Sequence, residues 1–431
     1  MRIQFLSLLT LWTLAGSVSA LEKSLSITLT AGKHDLKDVP VCVPLSLPKE
    51  QAKHGDAEVS AGEAMLVGQL TPPSITTEDV RPAKDGLVRR DLHFRVPALM
   101  AGQSITVTVK TRALTPVPDP TVLKWLGESR GTELVLAART RDKRRPILRY
   151  MNQAYDKSTP DRRDRTYKVF HHLYDLAGKG FVTNGGENDL KSGEKKKLLY
   201  PHHRGLMFAF NRISYGDKQQ ADTWHCNKGE HQSHVRFLNE EAGQVLGRHR
   251  ALIDWHGRDD AVFAKEEREL TVYNMAGGTL VEFAARLRTA NGPIKLDGDP
   301  QHAGFQFRAA NEVAATTAAQ TYYLRPDGKD EPGKTRNWPE VKTHINLPWN
   351  AMSFVLGGKR YTAVYLNHPR NPGESRWSER DYGRFGCYFA YELTAERPLV
   401  VNYRIWLQNG EMTGEQATAL SNAFVAPPTS K

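Results

Sequence analysis

Histidine and arginine residues are concentrated in one part of this 431-residue sequence, between Tyr200 and His256. Imidazole exchanges protons near neutral pH and ligates metals, and guanidinium binds carboxylates through two parallel N–H groups. A fold does not require such a concentration, so the span predicts a site for proton transfer, anion binding or metal ligation. Seven of the 15 histidines lie in these 57 residues: His202, His203, His225, His231, His234, His249 and His256.

Strand alternation predicts where these side chains point. If the segment from Arg248 to His256 is a β-strand, His249 lies on its packed face and Arg250 on the opposite face. The same rule puts alternate residues of the preceding strand on a shared face. The residues expected to converge on one cationic, concave surface are His202, His234, Arg236, Arg250 and His256.

This combination of side chains suits β-elimination of an acidic sugar. A cation neutralises the uronate carboxylate, a neutral histidine or a tyrosine takes the proton from the adjacent carbon, and a tyrosine protonates the leaving oxygen. A glycosidase needs two carboxylates that flank one bond, and no such pair is visible here, although hydrolysis remains open. The predicted proton-transfer residues are His202, His203, His234, His256 and Tyr382. The predicted substrate-binding residues are Arg204, Arg236, Arg250, Trp224, Gln306, Arg308, His302 and His368.

A metal site is the main alternative. His225, His231 and His234 are separated by six and three positions in a loop-rich stretch, and three neutral imidazoles suit zinc or copper. Such a site would make the protein a metal-dependent hydrolase or oxidase. A third alternative is a glycan-binding protein without catalytic activity, because sugar faces stack on aromatic rings such as that of Trp224.

The start of the chain predicts export from the cytoplasm. Residues 1–20 combine an early arginine, an apolar core and a small-residue cleavage site, as a secretory signal peptide does. The mature protein is therefore expected to be secreted or periplasmic. No later segment approaches the roughly 18 consecutive apolar residues of a membrane-spanning helix.

The charge of the chain favours acidic partners. The formal charge is +11, or +10 once the arginine of the predicted signal peptide is removed. The basic runs lack the interleaved aromatic residues of a platform for single-stranded nucleic acid. An acidic or neutral polysaccharide is therefore the expected partner, and nucleic acid is not.

The pattern of short alternating segments predicts an all-β fold in two parts. Residues 21–114 are predicted to form a small immunoglobulin-like sandwich, and 115–149 a proline-rich linker and charged connection. Residues 150–427 are predicted to form a large antiparallel β-sandwich of the supersandwich type. One helix is expected, over Gly414–Phe424, because Thr413 and Gln416 have capping-box spacing.

Several motifs resemble those of the PmoA-like family of secreted bacterial proteins. The similarity extends over about Tyr150 to Pro427. It implies a domain of largely unassigned function that is common in bacteria that degrade polymers, and it assigns no catalytic residue. The motifs are YPHHRGL, ADTWHCNKGEHQSH, GRHRALIDWHG, LDGDPQHAGFQFRA, NWP…LPWNAMSF and NHP…SERDYGRFG.

Overall fold

Antiparallel β-strands account for most of the protein, as the sequence predicts. The structure, a computed structural model, describes residues 24–78, 86–111, 122–127, 133–139, 144–185 and 199–430. The predicted signal peptide and the proline-rich part of the predicted linker lie outside these ranges. Among the described residues, no helix combines the length and apolarity that crossing a membrane requires.

The N-terminal module is a curved antiparallel sheet. Its core contains residues from strands at both ends of the ladder, such as Val41 and Ile27, so the sheet must bend around that core. Val107 and Val109 are fully buried, as their alternation predicts. The strands are β1 (Leu25–Thr30), β2 (Leu36–Pro48), β3 (Asp56–Ala61), β4 (Ala64–Thr71), β5 (Leu87–Leu99) and β6 (Ser104–Thr111), with a 3-10 turn at Gln51–Lys53.

The rest of the chain builds one large β body. Its first elements are β7 (Val122–Gly127), β8 (Glu133–Arg139), β9 (Arg144–Met151), α1 (Pro160–Thr166), β10 (Phe170–Leu173), β11 (Leu206–Phe210), β12 (Arg212–Tyr215), β13 (Gln219–Ala221), β14 (His231–Ala242), β15 (Leu246–His256), β16 (Val262–Tyr273) and β17 (Thr279–Thr289). Then follow β18 (Ile294–Asp297), β19 (Ala303–Arg308), β20 (Tyr322–Arg325), β21 (Gly328–Lys329), β22 (Trp349–Leu356), β23 (Lys359–Asn367), β24 (Arg376–Arg380), β25 (Arg384–Tyr388), β26 (Tyr391–Leu393), β27 (Leu399–Asn409), α2 (Gly414–Val425) and β28 (Thr429–Ser430). Short helical turns at Val313–Thr317 and Ala318–Gln320 precede β20.

Two large sheets of this body pack face to face. One has the strand order β24-β25-β19-β11-β10-β9-β8-β7, and the other β14-β15-β16-β17-β27-β23-β22-β20-β21. Their inner faces share one hydrophobic core, in which Phe305 of the first sheet stacks on Phe283 of the second at 4.2 Å between ring centroids. A small third sheet has the order β13-β12-β18-β26. The predicted large antiparallel sandwich is confirmed.

The large body begins earlier than the sequence predicts. Strands β7, β8 and β9 lie mostly within 115–149, the segment predicted as a linker and charged connection, and they form one end of the eight-stranded sheet. In β8, Val135 and Leu136 are buried. The charged residues between these short strands hide their apolar pattern in the sequence.

Local signals in the rest of the body are largely confirmed. The Gly277-Gly278 pair between two alternating segments predicts a hairpin, and the hairpin is present, with Tyr273 of β16 opposite Leu280 of β17. Helix α2 begins with the predicted capping box, in which Thr413 accepts from the backbone of Gln416 and Gln416 accepts from the backbone of Thr413. Helix α1 is an additional short helix over the charged run from Asp161 to Arg165.

The N-terminal module is joined to the nine-stranded sheet by buried hydrogen bonds. The side-chain oxygen of Gln69 accepts from the backbone N–H groups of Val245 and Leu246 at 3.1 and 3.0 Å. Ser74 donates to the Glu269 carboxylate at 2.6 Å. The module therefore docks on the turn before β15 and on β16.

Candidate functional site

Four imidazoles meet in one cluster, although they come from three separate turns. His202 and His203 precede β11, His225 follows β13, and His302 precedes β19. The ring of His202 lies 4.3 Å from that of His203, 4.7 Å from His225 and 5.9 Å from His302, between centroids. His302 lies 4.8 Å from His225 and 5.5 Å from His203. We call these four residues the histidine cluster.

Strand order alone does not bring these turns together. β11 and β19 are antiparallel neighbours, with Leu206 opposite Phe307 and Phe210 opposite Ala303, so the turns that precede them leave opposite ends of the pair. The contacts of His302 with His202 and His203 therefore depend on how the turns themselves fold. Gly205 permits the tight approach to β10, because a Cβ at this position would lie 2.1 Å from the carbonyl oxygen of His171.

Two members of the cluster are held by aspartates three positions earlier. The Nδ1 atom of His225 lies 2.8 Å from the Asp222 carboxylate, and Nδ1 of His302 lies 2.8 Å from that of Asp299. Each aspartate also accepts backbone N–H groups of its own turn: Asp222 from Trp224 and His225, and Asp299 from Gln301. Both turns therefore present an imidazole in a set orientation.

These carboxylates determine the tautomer of the two imidazoles. An ionised carboxylate only accepts hydrogen bonds, so Nδ1 of His225 and of His302 carries the proton. Nε2 of each ring then has a free lone pair, which can take a proton or bind a metal. Burial by itself raises the pKa of Asp222 and of Asp299, but the hydrogen bonds from His225 and His302 outweigh burial and lower both pKa values.

The other two histidines are held neutral at physiological pH. Burial, assisted by the charge of Lys168 and by the adjacent imidazoles, lowers the pKa of His202 to about 2. The pKa of His203, which is 1% exposed, is lowered well below its usual value, again mainly by burial. His202, His225 and His302 are half-buried, so the cluster is open to solvent on one side.

Arg204, predicted to bind substrate, is instead a buried structural residue. It is 1% exposed, and its guanidinium donates to the backbone carbonyls of Pro201, Gly185 and Asp164. It also lies over the ring of Tyr167, at 4.8 Å from the centroid. Arg204 therefore holds the turn of His202 and His203 in place and is not free to bind a carboxylate.

Lys168 also holds the turn of His202 and His203 in place. It is 3% exposed, and its ammonium donates to the carbonyl oxygens of His202 and Trp224. Burial lowers the pKa of Lys168 to about 8. The cluster thus rests on two buried cations, Lys168 and Arg204, that bind backbone oxygens.

Arg308 and Tyr382 lie beside His203. The guanidinium of Arg308 lies 5.0 Å from the centroid of the Tyr382 ring and donates to the Tyr382 carbonyl at 2.5 Å. Burial lowers the pKa of Arg308 to about 10, and its Nε and Nη2 atoms have no hydrogen-bond partner. The Tyr382 ring stacks on Tyr200, which is 45% exposed, at 4.3 Å. This tyrosine pair forms an aromatic edge of the site.

Two other predicted binding residues are buried below this edge. Gln306 is 1% exposed, donates to the carbonyl of Ala303 and accepts from Arg384, so it braces the sheet. Trp224 is fully buried and its ring lies edge-on to His203 at 5.3 Å. Neither side chain has a surface on which a sugar can lie.

The predicted single surface of histidines and arginines is divided among several places. His234 lies against Tyr150 and Phe237, and His256 stacks on His231 at 4.1 Å. Neither belongs to the histidine cluster around His202.

A β-bulge explains part of this separation. The register of β14 against β15 shifts between His234 and Arg236, so these two residues no longer alternate regularly. Arg236 is exposed, and Arg250 forms ion pairs with Glu78 and Glu267 at 2.7 and 2.5 Å. The packed position predicted for His249 is confirmed, since it is fully buried.

The predicted metal ligands and His368 are also dispersed. His225 belongs to the cluster, His231 to the stack with His256, and His234 to the contact with Tyr150. His368 is 7% exposed and packs edge-on against Phe424 of α2 at 5.1 Å. Closeness in sequence does not indicate a shared site here, because His225 lies in the turn after β13 whereas His231 and His234 lie at different positions of β14.

Asp222 and Asp299 are not among the predicted site residues, although the sequence contains a signal for them. Asp222 to His225 and Asp299 to His302 are both Asp-x-x-His segments. This spacing closes a turn in which the aspartate accepts the turn's N–H groups and reaches the imidazole. A search for this repeated pattern would have grouped His225 with His302.

A polar cleft of about 400 Å³ adjoins the cluster. Asp222 lines this cleft directly. Asn211 also lines it, and its amide donates to Asp299 at 2.7 Å, so the cleft is connected to both aspartates. Its walls include Arg212, Lys228 and Lys295. The volume and the polar lining suit a small hydrophilic group such as a sugar residue.

The fold and the site define an all-β protein with a solvent-facing histidine cluster, and its family is identifiable. Residues 138–422 match the family of unknown function named DUF6807, and the chain belongs to that family. The match agrees with the predicted extent of the conserved body, Tyr150 to Pro427, but gives no support to the PmoA-like name.

Comparison with other proteins adds little detail. A search of curated proteins finds no match. Among solved structures, an alpha-mannosidase from Enterococcus faecalis V583 is similar over 95% of this chain and 46% of its own, with 9% identity and a TM-score of 0.37. A protein in glycosyl hydrolase family 38 from Enterococcus faecalis is similar over 95% of this chain and 47% of its own, with 10% identity and a TM-score of 0.37. This chain thus spans less than half of each of these structures.

Proposed function

We propose that this protein is an enzyme that acts on an acidic glycan at the histidine cluster. The observation that carries the proposal is the pair of aspartate-held imidazoles, His225 and His302, that face the neutral ring of His202. An imidazole whose Nδ1–H is held by a carboxylate has Nε2 directed outward as a proton acceptor, the arrangement that general-base catalysis requires. His225 is the base in this proposal, and Asp222 orients it.

The reaction proposed is elimination next to a uronate carboxylate. His225 takes the proton from the carbon adjacent to the carboxylate, a carbon–carbon double bond forms, and the bond to the leaving sugar oxygen breaks. A tyrosine of the Tyr200–Tyr382 pair gives a proton to that oxygen. No water is consumed, and each chain cleavage leaves one unsaturated sugar end.

The surroundings of the cluster support a sugar substrate with negative charge. The exposed ring of Tyr200 offers a flat face beside the cluster, on which a sugar ring can stack. The adjoining cleft has a small excess of positive charge, which favours an anionic ligand; its charged residues are Arg212, Lys228, Arg258 and Lys295 against Asp222, Glu230 and Asp297. The proposed export of the chain would place it where extracellular polysaccharides occur.

The test is a screen of the purified full-length protein against acidic and neutral polysaccharides, with the ultraviolet absorbance of unsaturated uronates as the readout. His225→Ala should lower kcat about 10²- to 10⁴-fold, the usual contribution of a general base. His234→Ala is the matched control, because His234 is half-buried in the same body but outside the cluster. Equal loss in both variants, or no rise in absorbance with any acidic glycan, would contradict the proposal.

A further inference from the structure

We infer that His202, His203 and His302 form a binding site for a divalent transition metal, zinc or copper. This inference rests on the proposed function only for the location of the site. It deepens that function by assigning these three imidazoles to metal ligation and leaving His225 as the proton acceptor.

The geometry of the three rings is close to that of a metal site. One ring nitrogen from each of His202, His203 and His302 can be chosen so that all three lie within 4.8 Å of one another. Zinc–imidazole bonds of about 2.0–2.1 Å place tetrahedral ligands about 3.4 Å apart. Small side-chain rotations close this difference, and the half-buried rings of His202 and His302 have room to make them.

An unsatisfied buried nitrogen points to a ligand at this position. His203 is 1% exposed and its Nδ1 atom has no hydrogen-bond partner. A ligand bound at this atom would remove the cost of about 1–3 kcal/mol that a buried polar atom without a partner carries. The ring of His203 is enclosed by those of His202 and His302, and a metal shared by all three would satisfy it.

The surroundings match those of metal-ligating histidines. Asp299 holds Nδ1–H of His302, as the outer carboxylate of a carboxylate–histidine–metal arrangement does. Asn211 in turn donates to Asp299 at 2.7 Å, which fixes the carboxylate. Three nitrogen ligands and no directly bound carboxylate favour zinc or copper over calcium or magnesium.

The nearby cation does not block the site. Lys168 directs its ammonium at the carbonyl oxygens of His202 and Trp224, so it does not occupy a ring nitrogen. Three neutral ligands leave the full double charge of the metal in place. Such a centre attracts an anionic group, and the carboxylate of an acidic sugar is the group that the proposed reaction must neutralise.

Two other clusters among the described residues are less suitable. His256 uses both ring nitrogens, one toward Ser233 and one toward the carbonyl of Asp260, each at 2.8 Å. At the second, Nε2 of His93 lies 3.4 Å from the guanidinium of Arg248, whose charge opposes a cation near Cys42 and Asp91. The histidine cluster also has buried cations beside it, but Lys168 and Arg308 direct their hydrogen bonds at backbone carbonyl oxygens and not at a ring nitrogen.

The experiment measures metal content and affinity directly. Full-length protein is stripped with a chelator, reconstituted with Zn²⁺ or Cu²⁺, and analysed by elemental analysis, titration calorimetry and, for Cu²⁺, electron paramagnetic resonance. One tightly bound ion per chain with nitrogen ligands is expected. His302→Ala should abolish stoichiometric binding, and Asp299→Asn should weaken it roughly 10- to 100-fold.

His256→Ala is the control and should keep one ion per chain. Circular dichroism and the melting temperature establish that each variant is folded. If a histidine variant does not fold, the metal affinity of Asp299→Asn provides the test instead. Wild-type protein that binds no ion, or a His302→Ala protein that keeps it, would overturn the metal site. If the ion is absent while His225→Ala still blocks glycan cleavage, the proposed function stands alone. A bound ion without glycan cleavage would support the metal site and contradict the proposed function.

Discussion

The Asp222 carboxylate lies 2.8 Å from Nδ1 of His225 and also accepts the backbone N–H of the same residue at 2.8 Å. One carboxylate thereby fixes both the backbone turn and the ring orientation of one histidine. The two bonds lower the pKa of Asp222 despite its burial. This relationship gives the first prediction.

Replacing Asp222 by Asn should reduce catalysis while leaving substrate binding largely unchanged. The amide can still accept the backbone N–H groups, but it no longer provides the charge that favours the Nδ1–H tautomer and stabilises the protonated ring. We expect kcat to fall at least about 10²-fold with little change in KM. Steady-state kinetics on the acidic glycan found in the screen provide the measurement. Asp254→Asn is the control, since Asp254 pairs only with Lys265 at 3.7 Å among the ion pairs described; a change in KM alone would contradict the proposed role.

The stability of the protein should fall as the pH decreases from about 7 to 5. His171 and His249 are fully buried with their Nε2 atoms 2.8 Å apart, and burial lowers the pKa of both, that of His249 to about 3. His202 behaves in the same way. Below the unfolded pKa of about 6.5 the unfolded chain binds more protons than the native one, so native stability is greatest above that value and is lost on acidification. Melting temperatures across this range test the sign, and a constant or rising value at low pH would contradict it.

Glu241 should partly oppose this trend. Burial raises its pKa to about 7, so between about 4.5 and 7 the native state holds a proton that the unfolded state has lost. This contribution is present at low pH and is lost as the pH rises through 7. The variant Glu241→Gln, which keeps the neutral form, should therefore show a steeper loss of melting temperature on acidification than the wild type. A shallower dependence would show that Glu241 is ionised in the native protein.

Replacing Glu266 by Gln should destabilise the large body strongly. Glu266 and Arg268 are both fully buried and form two hydrogen bonds at 2.6 and 2.9 Å, and Arg268 also donates to the carbonyl of Val169. Breaking a buried pair leaves one charge uncompensated and costs about 3–5 kcal/mol. Denaturant unfolding measures the loss. The matched change Glu411→Gln removes an exposed pair with Lys329 at 3.8 Å and should cost less than about 1 kcal/mol.

Replacing Gln69 by Ala should loosen the N-terminal module. The backbone N–H groups of Val245 and Leu246 both depend on this one side-chain oxygen, and each buried group left unpaired costs about 1–3 kcal/mol. We expect a protease to cleave the variant faster than the wild type between the module and the large body. Gel electrophoresis of timed digests measures this rate. Gln220→Ala, at an exposed position of β13, should have no effect. Unchanged proteolysis in the Gln69 variant would show that other contacts hold the module.

Signals that act within a few residues were sufficient to predict much of the fold. The capping box of α2, the hairpin between β16 and β17 and the packed face of His249 each depend on the spacing of near neighbours. The bulge between His234 and Arg236 was not predictable, because nothing in the local pattern distinguishes a bulged strand from a regular one. One extra residue reverses the faces of the residues after it, here Arg236 and Phe237, until the register shifts again between Phe237 and Asn239.

The composition of the site was only partly predictable. His202 and His302 are 100 positions apart, in turns that leave opposite ends of the antiparallel pair β11 and β19, and they meet because of the way these turns fold. Alternation identifies a face but not a neighbouring strand. The charge of Arg204 suggested a substrate contact, yet its guanidinium donates to the backbone carbonyls of Pro201, Gly185 and Asp164, which connect its turn to two other segments. A charged side chain in a loop can bind the backbone of the loop as readily as it can bind a ligand.

The first and the last strands of the described chain are partners. Leu29 and Thr30 of β1 lie opposite Ser430 and Thr429 of β28, so one end of this sheet edge is covered by residues that follow the whole large body. During translation, β28 leaves the ribosome after every other described strand. The N-terminal module can therefore collapse early, but it keeps an open sheet edge, a place where another chain could add a strand, until the large body has been made. Chaperone protection of that edge would be needed longest for the part of the protein that is synthesised first.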